Sequence, residues 1–508
     1  MKKRFLVLAL VVCLLVTGCL AGCNGKKQAS SDAEVTLTWI FGGPGKLKDS
    51  DRVWAEFNEK LKEYIPNTTI EFEVISHDEY AERWKLINAG QEDADIVWIS
   101  WALNFADEVA KGAFMDMTDL VAQYGQDIKA ELPEWLLDLT TVNGRIYGVP
   151  CYQMMASPIG FAVDTSHVEK GWLNIEEVEK LFNTDKTFAK EDYKIIEDYI
   201  EKVQSSGEKV KYISSDFMKR QVQERIGLPY GGLEPITCNA AIVKMGDDYK
   251  VYDTLTDFPE NYDYYDLMSE WYEKGYIRKD ILENPTEKTG DYLLSWTSVF
   301  KGTEERLEKT YNKPMKPCLT NDYLYVGYNA SSTNTGISAH SKNPERAMQV
   351  INLMNSSKGK ELLNLLVYGL EGEHYEKIND EQINWLGESA PGASANKYGY
   401  QNWALGNTMN TYTTQADPVG WNKYIDEEIN KQATISRLAG FSLDQTPIAK
   451  EIAQYQAVKK EYEYLDKGTI SNYKELISER NEKFKKAGSD KIVAEVQRQV
   501  DEWVKNNK

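Results

Sequence analysis

The chain has 508 residues, 42% of them apolar, a formal net charge of -20 and six cysteines. That length predicts more than one domain with sizeable cores. The acidity argues against a nucleic-acid surface, which needs a basic stripe to neutralise phosphates, and makes a neutral ligand the economical expectation.

Met1, Lys2, Lys3 and Arg4 precede an apolar run from Phe5 to Val16 and then small residues, the layout of a secretory signal. Thr17, Gly18 and Cys19 interrupt the run before it reaches the roughly 20 residues a membrane span needs. Leu20-Ala21-Gly22-Cys23 resembles the bacterial lipobox, with Val16-Thr17-Gly18-Cys19 a poorer match. The resemblance implies a signal peptide over 1–22 and acylation of Cys23, which tethers the chain to a lipid bilayer. An ordinary signal peptide is the alternative. Residues 23–33 are then the lipidated cysteine and a polar, flexible leash.

Val35 to Phe41 is β-rich and runs into Gly42-Gly43-Pro44-Gly45, after which Val53, Trp54, Phe57, Leu61 and Tyr64 recur at helical spacing. Thr69 to Ile75 alternates as a strand does, Asp78 to Ala89 reads as a helix, and Asp95 to Ile99 is a near-continuous apolar run. Alternating strands and helices imply a parallel α/β sheet, whose ligands bind beyond the carboxyl ends of the strands. The loops after Phe41 and Ile99 are therefore candidate site loops. Asn143-Gly144 between two extended stretches predicts a hairpin ending at Pro150. Helices are expected around Ile195 to Val203 and Phe217 to Ile226, a second hairpin over Ala241 to Tyr252, and a helix opened by Asn343-Pro344. In the tail, Ile448, Ile452, Tyr455 and Val458 form one apolar stripe, and Val493, Val496, Val500 and Trp503 another.

Several chemistries lack their residues. Beyond the signal only Cys151, Cys238 and Cys318 remain, too few and odd for a disulfide framework. His77, His167, His340 and His374 are scattered and read as ordinary histidines; with no C-x-x-C or H-E-x-x-H, neither a metal nor a cofactor is expected. Gly42 to Lys46 lacks phosphate-loop spacing, because Leu47 stands where Ser or Thr belongs. No serine sits in a G-x-S-x-G elbow. Asp247-Asp248 and Glu304-Glu305 are adjacent pairs, typical of solvated turns and not of a glycosidase. No catalysis is expected.

The lipobox, the first strand with its Gly-rich loop, N-G-R-I-Y-G-V-P at 143–150, W-Y-E-K-G-Y-I at 271–277 and N-P-E-R-A-M-Q-V-I-N-L-M at 343–354 together resemble extracellular solute-binding lipoproteins of ABC importers, of the family 1 carbohydrate type. L-L-V-Y-G-L-E-G-E-H-Y at 365–375 and the stretch from Gly440-Phe441-Ser442 onward resemble the branch with the DUF3502 C-terminal region. The resemblance implies an α/β, two-lobed periplasmic-binding-protein-like fold with the ligand cleft between the lobes and a helical C-terminal region. It places crossings near Ala156, near Trp296 and after the strand around Ile337. Lobe one is then 34–155 plus 296–355, and lobe two is 156–295 plus 356–508.

The implied function is capture of an oligosaccharide and its delivery to ABC permease subunits, by a monomer on the outer face of the cytoplasmic membrane. Sugars need aromatic platforms for their apolar faces and amides or charges for their hydroxyls, and the chain holds 13 Trp and 31 Tyr. By position, Trp39, Phe41, Trp101, Tyr152, Gln153, Trp296, Trp403 and Asn407 are the expected ligand contacts. A receptor for peptide or another non-sugar solute, a lipid-anchored carbohydrate-active enzyme and a surface adhesin are the competing readings.

Overall fold

The computed structural model describes residues 33–507, apart from 104, 211, 229–231, 238–239, 246–248, 254–256, 284–289, 291, 329–331 and 468–472. The expected signal peptide and Cys23 lie outside the described residues, as do Cys238 and Asp247-Asp248.

Val35–Gly43, Thr68–Ser76 and Ile96–Ser100 pair in parallel, connected by helices Ser50–Tyr64 and Tyr80–Gly90. Thr333–Ile337 and Val149–Pro150 extend this sheet in antiparallel fashion, giving five strands. Helices cover both faces, so residues pointing either way from the first strand are buried, among them Leu37, Trp39, Ile40 and Phe41. The hairpin forms as expected: Thr141–Val142 pairs with Arg145–Ile146, and Asn143 and Gly144 take φ of 52° and 74° to turn it.

Helix Pro344–Met354 begins at the expected proline and buries Met348, Val350 and Ile351 in the same core. Helix Lys360–Tyr368 follows it there through Leu362, Leu363 and Leu366, each such side chain contributing about 1.5–3 kcal/mol relative to exposure. The core continues through Tyr398, Tyr400, Leu405, Ile425 and Ile429. Residues 356–429 therefore pack in lobe one, a correction to the expected division, which gave them to lobe two. The apolar faces of 360–368 and 398–405 find their partners in helix 50–64 and the first strand, far away in sequence.

In lobe two, Ile159–Asp164 lies between Ser295–Ser298 and Met315–Asn321, antiparallel to both. Helices Lys194–Ser206 and Asp263–Lys274 cover it, with Phe161, Val163, Ile200, Met268 and Trp271 in the core. Trp296 is thus not at a crossing: it pairs with Phe161 inside this sheet, and the chain stays in lobe two as far as Asn321. The helical tail, Ala449–Glu461, Tyr473–Ala487 and Ser489–Asn507, packs Ile452, Tyr455, Val496 and Val500 against Ala241 and Val243 of the second hairpin.

The chain passes between lobes through 151–158, the segment after Asn321 and the segment around 430–437. These are bonded side by side. Tyr325–Val326 pairs in parallel with Thr434–Ile435, and Asn430 accepts from the Met155 amide at 2.8 Å while donating to the Gln153 carbonyl at 2.7 Å. The buried Glu234 carboxylate accepts from Tyr325 Oη, the Tyr328 amide and Ser436 Oγ at 2.8, 2.5 and 2.7 Å, so lobe two holds two of the crossings at one point.

Candidate ligand-binding cleft

The three parallel strands end on one edge of lobe one, at Gly43, Ser76 and Ser100. His77 follows the second and Trp101 the third. Trp403 reaches the same edge from the turn Asn402–Ala404, whose carbonyl at 403 accepts from Thr333 Oγ1 at 2.8 Å. The Trp101 and Trp403 rings lie 5.4 Å apart, and His77 is 5.6 Å from the first and 5.7 Å from the second. Trp98 closes the cluster from beneath, edge-on to Trp101 at 5.0 Å. Trp101 itself is 56% exposed, an open indole face on a rigid aromatic base.

Gly42 makes this packing possible, since a Cβ there would collide with the Trp98 ring and touch His77. Burial holds the His77 imidazole below its ordinary pKa, with Asp78 opposing, so the ring is kept neutral among the indoles. His77 Nε2, Trp98 Nε1 and Gln401 Oε1 are buried with no protein hydrogen-bond partner. Such unpaired groups are costly and concentrate where function needs them.

Beside Trp403 opens a pocket of about 270 Å³, lined by Gln401, Asn402, Thr411, Asp417, Trp421 and Asn422 among others. Amides and hydroxyls predominate on its polar side, with Met154, Val367 and Ile425 on the apolar side. Trp421 and Asn422 also wall a neighbouring pocket of about 570 Å³ that reaches Tyr152, Lys360 and Asp426. In lobe two, the π-helical turn Met218–Gln223 is fixed on the sheet by Gln221, which donates to the Gly160 carbonyl and accepts from Thr320 Oγ1. Arg220 of that turn stacks over Trp296 at 4.5 Å. Burial raises the carboxyl pKa of the adjacent Glu224, with Arg220 and Lys219 pulling it back.

Of the expected contacts, the structure gathers Trp101 and Trp403. Trp39 and Phe41 are corrected to core: they are 1% and 0% exposed and pack on Phe72 and Tyr400. Tyr152 is buried, its hydroxyl donating to Asp426 at 2.8 Å. Gln153 donates to Thr333 Oγ1 at 3.1 Å within the crossing. Asn407 is buried as the cap of the turn Thr408–Asn410. Trp296 is half-buried beneath Arg220. Sequence reasoning missed His77, although the strand-end rule that selected Trp101 applies equally to the residue after Ser76. It also missed Trp421, for which no local signal exists.

These features define a two-lobed α/β fold with an aromatic cluster at the strand ends of lobe one. Residues 49–213 match the family of bacterial extracellular solute-binding proteins and 437–505 match DUF3502, a domain of unknown function, so the chain carries both regions in order. It is 26% identical over 532 aligned positions to a carbohydrate ABC transporter substrate-binding protein of Streptococcus pneumoniae serotype 4, covering 99% of this chain and 97% of that one. Its fold is similar to the crystal structure of the N-glycan transport solute-binding protein from Streptococcus pneumoniae, with a TM-score of 0.74 at 23% identity, over 93% of this chain and all of that one. An HMO-binding ABC-transporter-associated solute-binding protein from Bifidobacterium longum infantis aligns with a TM-score of 0.60 at 15% identity, over 92% of this chain and 98% of that one. Among the described residues, no helix is long and apolar enough to cross a membrane and no cluster of metal ligands occurs.

Proposed function

We propose that this chain captures an extracellular oligosaccharide between its lobes and delivers it to an ABC permease, working as a monomer tethered through acylated Cys23. The observation that carries the reading is the exposed Trp101 indole on its aromatic base, beside a pocket of amides and hydroxyls at Trp403. An indole face takes the C–H side of a sugar ring while amides and hydroxyls exchange hydrogen bonds with its rim, which is the chemistry an uncharged glycan offers. The names of the relatives support it: complexes of the Streptococcus pneumoniae N-glycan transport protein with Man1GlcNAc and with Man5GlcNAc share this fold, with TM-scores of 0.66 and 0.63. Carboxylates stand in both pockets, Asp417 in the smaller and Glu131, Glu381 and Asp426 in the larger, but Asp417, Asp426 and Glu131 are each engaged by protein donors, which argues against a free catalytic pair.

Titration calorimetry of the chain from Asn24 onward, against neutral oligosaccharides and short peptides, tests this reading. Binding of a sugar series that is recovered intact is the expected result. Binding of peptides alone, or cleavage of the sugar, overturns it. Radiolabelled fatty acid incorporated by the full chain and lost in Cys23→Ala tests the tether.

A further inference from the structure

The pocket beside Trp403 belongs to lobe one, yet one of its walls leans on lobe two. Phe300 follows the lobe-two strand 295–298 and meets Trp421 with ring centroids 4.9 Å apart. The Arg306 guanidinium lies 4.4 Å over the Phe300 ring, itself directed at Thr297 Oγ1 and the Ser298 carbonyl. Beyond Trp421, Tyr424 stacks at 5.7 Å. Arg306, Phe300, Trp421 and Tyr424 thus form a chain of ring contacts from one lobe to the other, with Phe300 tilted 59° against the Trp421 indole. The neighbouring backbone is fitted as closely: the Lys301 amide donates to Tyr424 Oη, and Gly302, at φ 81°, sits where any Cβ would collide with Pro418.

We propose that Phe300 is a positioning residue for the sugar site: from the opposite lobe it sets the indole of Trp421, which walls both pockets. This rests on the oligosaccharide reading above. The physical content is a coupling between pocket and lobe arrangement. A sugar residue seated against Trp421 binds best when Phe300 backs the indole, so the sugar favours that arrangement of the lobes, and by linkage the arrangement favours the sugar by the same factor. Val419, exposed beside the contact, accepts from Lys301 Nζ through its carbonyl, so the junction is polar at its rim and aromatic at its centre.

The test uses the chain from Asn24 onward, which contains every element of the structure, labelled with 5-fluorotryptophan. The Trp421 fluorine resonance is assigned by its loss in Trp421→Phe, and Man5GlcNAc is the probe ligand. Phe300→Ala is expected to move the Trp421 resonance without ligand and to weaken Man5GlcNAc binding about tenfold, whereas Phe300→Tyr restores affinity to within about a factor of two. Gly302→Ala, which pushes the loop from Pro418 without touching the pocket, is expected to reproduce the loss. Unchanged affinity in Phe300→Ala and Gly302→Ala, with the parent chain binding normally, overturns the positioning role. Failure of the parent chain to bind any oligosaccharide is a different result: it removes the proposed function, and the sugar role of Phe300 with it.

Discussion

At the residue scale, the aromatic edge of lobe one separates into an exposed indole and the buried rings it rests on. Trp101 is exposed while Trp98 beneath it is buried, so the two should respond differently to truncation. Trp101→Ala is expected to weaken sugar binding about tenfold or more with little change in melting temperature, because few of its contacts exclude water. Calorimetry paired with thermal unfolding checks this. Gly42→Ala is expected to cost about 1–3 kcal/mol of stability and to weaken binding as well, since the added methyl displaces Trp98 and His77 together; urea unfolding measures the first effect and titration the second. Trp39 and Phe41 show why residue type and position together still mislead. They lie within the first strand, which runs on to Gly43, and a sheet covered on both faces buries side chains of either parity, so alternation could not point them to the cleft.

At the element scale, Asp164 terminates the strand 159–164 and caps the helix Thr165–Glu169. Its carboxylate accepts from the Ser166 amide and hydroxyl and pairs with Lys313 at 2.8 Å. Burial by itself would raise its pKa, but the Lys313 and Ser166 hydrogen bonds outweigh it and hold the carboxyl at about 2. The folded value lies below the unfolded one, so the stabilisation is present above roughly pH 4 and is lost as pH falls toward 2. Asp164→Asn is therefore expected to lower the urea midpoint at pH 7 and to match the parent chain near pH 2, where the parent has lost the same interaction. The Asn143-Gly144 turn and the proline start of helix 344–354 were legible in advance because each is decided within a few residues. The π-helical turn at 218–223 was not, since its extra residue is accommodated by Gln221 bonding to strands of the sheet below.

At the scale of the whole molecule, the crossings decide how the lobes can move, and Glu234 is where lobe two grips them. Burial raises its pKa, against the hydrogen bonds from Tyr328, Ser436 and Tyr325. A raised carboxyl value means stability that is fully present below the unfolded glutamate pKa and lost as pH rises through the folded one. Glu234→Gln mimics the protonated side chain, with one acceptor oxygen and a donor in place of the second, but cannot ionise. The urea midpoint of the parent, measured against that of the variant, is therefore expected to fall between pH 4 and pH 8 as the buried carboxyl ionises. The sequence by itself determined the elements, the α/β class and the helical tail, because the periodicity of apolar residues is a local property of 10 to 20 residues. Only the tertiary structure decided that 356–429 packs in lobe one, that Trp296 lies inside the second sheet, and that Trp421 stands against Phe300 across the lobes. An apolar stripe states that a helix will be buried, whereas the core it joins depends on which distant surface complements it.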